Sequence, residues 1–304
     1  MSTDTNKITR IARNGIREGS QLDLIIRRFK RNRLAVFGLV ITLLYVLTGL
    51  LAPYITPYDP AAMDVVNQFA APSVDHPFGT DQFGRDILSR VILGTRISLK
   101  VGAVSITFAT IVGTTLGLTA GYYRGWVDEV IMRLMDVVLS FPSILLALVV
   151  IAILGPGLSN TIIALAIVYV PTMTRITRGS ALSVREEEYV MAAEAYGESV
   201  PGIMLRDMLP NLLAAVMVQA TVSFAFVILS EAALSFLGLG AQPPTPSWGI
   251  LISQGQASIA EAPWVSIFPG LAIMATVMGL NFLGDGLRDA LDPTGDVTNE
   301  EGRR

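Results

Sequence analysis

The 304-residue chain contains no cysteine and a single histidine, His76. Without thiols there is no disulfide, no thiolate nucleophile and no cysteine metal site, and one histidine cannot build a histidine cluster. Charge is scarce: 15% of residues are Asp, Glu, Lys or Arg, against about 25% in soluble domains. Lysine is confined to Lys7, Lys30 and Lys100. A net charge of −3 and a pI near 5.3 argue against nucleic acid as a partner. No glycine-rich loop ends in Gly-Lys-Ser or Gly-Lys-Thr, so the chain lacks a phosphate cradle for ATP hydrolysis. What it has in abundance is apolar surface: 52% hydrophobic residues and a mean hydropathy of +0.56.

That surface falls in runs. Residues 1–33 are polar and basic, and Leu34–Ala52 then carries no charge over 19 residues, enough for a helix to cross about 30 Å of hydrocarbon. Pro53 follows and no small-x-small cleavage site is evident, so this reads as an uncleaved first span. Val101–Gly121 is a second run. Val137–Thr174 is uncharged over 38 residues, too long for one span, and Gly155-Pro156-Gly157 divides it. A fifth span covers Asn211 to about Ser230, and Ala262–Gly284 is the sixth. Residues 232–260, uncharged and rich in Gly, Pro and Gln, read as an ordered loop with short helical pieces. Lipid offers no hydrogen-bond partners, so the spans are helices. The expectation is an all-α membrane protein with six transmembrane helices.

Lysine and arginine orient it. With the N-terminus inside, 18 of the 22 cations fall on inside segments; the outside holds Arg85, Arg90, Arg96 and Lys100. The positive-inside rule puts both termini and residues 183–211 in the cytoplasm. The external loop, 53–100, reads as a surface loop with Asp81–Arg85 or Asp86–Arg90 pairs at helical spacing, each worth little when exposed. Acid–base chemistry there lacks a nucleophile or metal cluster. His76 reads as structural. Gly113 and Gly117 form a close-packing pair, while Pro142 and Pro171 are candidate kinks. Glu231 and Asp285 fall at span ends, weak support for a proton or ion relay.

The most structured charged segment is Ser183–Asn211. Ser183 with Glu186 has capping-box spacing, and Gly197 stands where a left-handed C-terminal cap is wanted. Tyr189, Ala192, Ala193 and Tyr196 share one helical face. Ser199, Pro201 and Ile203 read as the start of a second short helix that Pro210 closes. A plain cytoplasmic connector with local helix fits the same periodicity.

At these residues a family resemblance emerges. Glu188, Tyr189, Ala192, Ala193, Gly197, Ile203, Arg206, Leu209 and Pro210 resemble the "EAA" loop of ABC importer permeases, nearest the dipeptide/oligopeptide/nickel branch. Met191 and Asp207 depart from it, standing where glutamate and histidine are usual. Further similarity lies in the GTD–GRD–SR block from Gly79 to Arg90, Leu154–Gly157, Ser235–Gly240, Pro246–Gly249 and Asn281–Asp289. The resemblance covers roughly residues 25–293.

It implies a type I ABC importer permease fold in the cell membrane, with a basic segment 1–33, a first helix and external loop 34–100, a core permease domain 101–285 containing the coupling loop 183–211, and a tail 286–304. It implies a second homologous permease subunit, two cytoplasmic ABC ATPases and an external substrate-binding protein besides the lipid bilayer. ATP and Mg belong on the ATPase, so no cofactor, metal or catalytic residue is expected here. Peptides are the implied substrate, with nickel, glutathione or oligosaccharide as alternatives. The competing class is an autonomous ion-coupled carrier, which needs a buried relay and internal symmetry.

Overall fold

A computed structural model describes residues 21–291, and among them all regular structure is helical apart from one isolated bridge between Thr80 and Asp86. Most of the basic N-terminal segment (1–20) and the tail beyond residue 291 lie outside the described residues. Helix α1 (Gln21–Arg31) meets α2 (Arg33–Ile55) at Asn32, whose side chain accepts the Leu34 and Ala35 amides at 3.1 Å. The 23 residues of α2 extend about 35 Å, a full span.

Helix α3 (Ile87–Tyr123) begins well before the uncharged run at Val101, because Asp86 caps it by accepting the Ser89 amide at 2.7 Å. Hydropathy marks the lipid-facing part of this helix; its first turns pack against protein instead. The next two elements correct the expectation of a third span starting at Val137. Helix α4 (Gly125–Leu139) carries Asp128, Arg133 and Asp136, and it meets α5 (Ser143–Leu154) at a bend of 88°. Pro142 sits at the junction, where its ring disfavours helix in the preceding residue. Alone, the 12 residues of α5 reach only about 18 Å.

The turn at 155–157 follows, then α6 (Leu158–Val184), which keeps Pro171 inside it unbroken. After the charged loop come α8 (Val200–Phe236), α9 (Trp248–Gly255) and α10 (Trp264–Leu291); the loop helix α7 (Glu188–Ala195) precedes them. Five of these helices are long and apolar enough to cross a membrane, and the α4–α5 pair makes a sixth if it counts as one bent span.

Small residues set the helix spacing. A Cβ on Gly113 would meet the Met173 side chain and, at 2.9 Å, the Val170 carbonyl; one on Gly117 would meet the Thr174 carbonyl. The glycine pair therefore joins α3 to α6 within this chain, as GxxxG packing requires. Helix α10 lies against α2 and α8, and α9 folds back across α3, α8 and α10.

Under α9 the loop between α2 and α3 departs from the expected surface pairing. Asp81, Arg85 and Arg90 are 2%, 4% and 1% exposed. Arg85 reaches Asp81 at 2.7 Å, and Asp81 also accepts the Phe83 and Arg85 amides. Arg90 donates to Gln254 of α9 at 3.1 Å and to the Pro60 carbonyl at 3.2 Å. Asp86 pairs with His76 at 2.9 Å rather than with Arg90. Helix α9, distant in sequence, covers the loop and turns weak surface pairs into a buried network. Asp81→Ala leaves two buried guanidinium groups without a counter-charge, so it is expected to cost about 3–5 kcal/mol. Asp75→Ala, on the exposed part of the same loop, should stay within about 0.5 kcal/mol. Thermal unfolding in detergent compares the two, and equal midpoints would return the network to the status of a surface feature.

Candidate functional site

The charged loop joins α6 to α8 through α7, and its start differs from the capping-box reading. Ser183 lies in the last turn of α6, so its amide is already committed to that helix. Helix α7 begins at Glu188 after an extended Glu187 that makes no side-chain cap. The Glu186 carboxylate instead accepts from Arg124 at 3.0 Å. A span helix that outruns the bilayer absorbs the residue whose polarity marked a new start.

The end of α7 follows the expected geometry. Gly197 has φ +76°; its amide donates to Glu194 O and the Glu198 amide to Ala193 O, both at 3.1 Å. These are the two bonds of a Schellman cap. A Cβ on Gly197 would meet nothing within 4 Å, so the demand for glycine here is purely conformational.

Beyond it, Val200–Gly202 opens a helix that does not stop at Pro210. Residues Ile203–Met208 form a π-helical turn in which the Leu209 amide reaches back to Met204 O. Proline has no N–H, and in an α-helix its ring would crowd the carbonyl four residues back. The widened turn relieves that crowding, Asn211 Nδ2 donates to Asp207 O at 2.7 Å, and the helix continues to Phe236 as a span. The expected second short helix is thus the first turns of α8.

One apolar contact holds α7 in place. Val190 is fully buried and packs with Leu118 and Tyr122 of α3, Ala181 of α6, and Ile203, Met208 and Leu212 of α8. Ala193, one turn on, is half-buried beside it. Arg185 stacks 5.0 Å over the Tyr122 ring and lies 3.6 Å from Glu194. Three span helices therefore converge on one turn of α7. Of the residues singled out from the sequence, Glu188, Tyr189, Ala192, Gly197, Arg206 and Pro210 are exposed, Ala193 and Leu209 are intermediate, and Ile203 is buried as an anchor.

The outward surface also includes Met191, Tyr196 (91% exposed) and Leu205. Leu205 escaped the sequence reading because a π-turn shifts which residues face outward. Exposed apolar groups clustered at one site mark an interaction surface. Glu187, Glu188 and Glu198 have no ion-pair partner among the described residues, which makes the rim acidic. Partial burial and the Glu187 and Asp207 carboxylates push the Tyr189 phenol above its ordinary value, so it stays neutral.

The span-end acids have different fates. Glu231 lies fully buried inside α8, accepting from Ser98 of α3 at 2.9 Å and from Ser235 at 2.7 Å. It lies five residues before the end of α8 at Phe236, and hydroxyls hold it without a second titratable group among its hydrogen-bond partners. Asp285 is exposed on α10. Two arginines of α6 tie down α4: Arg175 reaches Asp136 at 2.6 Å, and Arg178 pairs with Asp128.

Residues 113–294 match the family model described as binding-protein-dependent transport system inner membrane component. Residues 20–72 match the N-terminal TM domain of oligopeptide transport permease C. Among relatives, the dipeptide transport system permease protein DppC of Alkalihalophilus pseudofirmus is 50% identical over 267 residues, 88% of each chain. The glutathione transport system permease protein GsiD of Pectobacterium atrosepticum is 44% identical over 270 residues, 88% of this chain and 89% of that one.

The cap geometry generates a direct test. Gly197→Val forces a branched residue into the left-handed region at a cost of roughly 1–2 kcal/mol while the spans still insert. In this cysteine-free chain, spin labels at Met191→Cys and Leu205→Cys should show a broadened or shifted distance distribution in the variant. An unchanged distribution would mean that Gly197 does not set the turn.

Proposed function

The chain belongs to the family of binding-protein-dependent transport system inner membrane components, and from that premise we propose that its cargo is a short peptide and that α7 couples it to a separate ATPase. It is a multi-pass permease subunit of an ABC importer in the inner membrane, not an enzyme. A component of such a system works with an ATPase, a partner permease and a binding protein. The autonomous ion-coupled carrier is thereby set aside.

The observation that carries the peptide reading is the 50% identity with a dipeptide permease across 88% of both chains. Glutathione, the substrate named for a second relative, is itself a tripeptide. Both termini and α7 are cytoplasmic in this reading, supported by the placement of 18 of 22 cations on that side. Two ATPases then engage two permeases, each through its own loop. The exposed face of Tyr189, Ala192 and Tyr196 enters an apolar groove on the ATPase, and the acidic rim meets basic residues around it.

Val190 transmits the movement. Because it is clamped between α3, α6 and α8, a displacement of α7 cannot be absorbed within the loop. It passes into the spans as a rigid-body tilt, which alternates access between the membrane's two faces. The binding protein delivers the solute from outside, and ATP closure on the partner supplies the work.

Orientation is tested with single cysteines at Val74, 98% exposed, and Tyr196, 91% exposed. In intact cells an impermeant thiol reagent should label only Val74→Cys; labelling of Tyr196→Cys would invert the topology. Docking is tested with Ala192→Arg, which puts a charge into the proposed contact and should weaken ATPase association about 30-fold or more. Association of the unmodified complex should also fall with added salt. Full transport by Ala192→Arg at normal membrane levels would remove α7 from the coupling role.

A further inference from the structure

Helices α6, α8 and α10 enclose a cavity of about 770 Å³ that opens at the same end of the bundle as α7, within the roughly 300–1,000 Å³ of small-molecule sites. Its wall on α8 is a stripe at Asn211, Ala215, Gln219 and Val222. Polar side chains on a span are costly unless they face protein or a water-filled space. Ala214, Ala215 and Gly179 leave the wall low, so a solute can approach the helix backbones. The eleven residue steps of α8 from Asn211 to Val222 give a groove about 16 Å long, longer than an extended dipeptide of about 7 Å.

The charges at its mouth are specific. Arg175 is already neutralised by Asp136 at 2.6 Å. Asp285 and Arg288, one turn apart on α10, both line the cavity, and neither has a hydrogen bond or ion pair among the described residues. One uncompensated acid and one uncompensated base complement a solute carrying one ammonium and one carboxylate. Gln219 donates its amide N–H to Ser223 at 3.0 Å, and its carbonyl oxygen has no hydrogen-bond donor among the described residues. That oxygen is an acceptor suited to a peptide N–H.

We propose that this groove is the chain's own solute site on the translocation pathway, and that it takes short zwitterionic peptides by their charged ends and backbone rather than by their side chains. Arg288 receives the carboxylate, Asp285 the ammonium, and Gln219 the peptide N–H. The proposal rests on the peptide reading above and adds the place where the peptide sits.

Single cysteines at Ala215 and Val222, in the groove, and at Met217, on the opposite side of α8, provide the test in the assembled transporter in proteoliposomes. A water-soluble cationic methanethiosulfonate should modify the two groove positions at least about tenfold faster than Met217→Cys. Saturating L-alanyl-L-alanine should slow that modification, whereas its N-acetylated, C-amidated counterpart should not. Arg288→Gln and Asp285→Asn, both exposed and unpaired, should leave assembly intact and raise the protecting concentration about tenfold each, the loss of one charged hydrogen bond.

Groove cysteines no more reactive than Met217→Cys would mean that lipid, the tail or the partner permease fills the space, and would overturn the proposal. Equal protection by the capped peptide, or none by the free one, would overturn it too. Peptide import measured on the same vesicles separates the cases. Import with an unreactive groove rejects this site alone, whereas absent import of any peptide rejects the peptide reading along with it.

Discussion

Where Gly113 and Gly117 of α3 meet the backbone of Val170 and Thr174 and the side chain of Met173 on α6, two helices touch in a medium that gives polar groups no other partner. Lipid tails are as apolar as leucine, so helix association there depends on close packing more than on expelling water. Small residues permit that approach, and the rest of the bundle is arranged around the pair. Helix α8 lies against both, α4 is tied to α6 by Arg175 and Arg178, and Tyr122 at the end of α3 helps to receive Val190. Loosening the glycine contact would move the seat of α7 as well as the spans.

This connection makes the charged loop more than a linker. A segment held only by its ends would absorb a push by bending. Here Val190 is buried by three span helices, the Gly197 cap fixes the exit angle, and α8 runs from Val200 through the π-turn into the membrane without a joint. The π-turn reconciles two demands on one stretch. Pro210 forbids a regular α-helical bond, yet the helix has to continue into the span that runs to Phe236. A single widened turn satisfies both and also turns Leu205 outward beside α7.

Polar groups inside the protein follow one rule. Asp81, Arg85 and Arg90 are buried but charge-paired, and Gln254 of α9 links them to the helices. Glu231 is buried with hydroxyl donors from Ser98 and Ser235. Each group joins elements far apart in sequence, because an isolated buried charge costs several kcal/mol and the fold must bring partners to it. These clusters fix the relative positions of α3, α8 and α9 toward the C-terminal end of α8, whereas the groove between α6, α8 and α10 lies toward its N-terminal end.

Quantities that depend on one segment at a time follow directly from the residues. A run of apolar residues reports how much chain lipid can accept, so the five long spans were legible in hydropathy alone. The left-handed glycine at 197 was legible for the same reason: its demand is local to one residue's φ and ψ. The α3–α6 glycine pair could be read as a packing face, though not as facing Met173. Whether Ser183 began a helix or ended one, whether Pro210 closed a helix or sat behind a π-turn, and whether Asp81 and Arg85 were surface or core depended on the packed fold. Those outcomes turn on what packs against a residue, and α9 covering the α2–α3 loop or three helices clasping Val190 are contacts between segments scores of residues apart. Solvation is a property of the assembled neighbourhood, so burial and the energies that follow from it are set by the fold rather than by the residues alone.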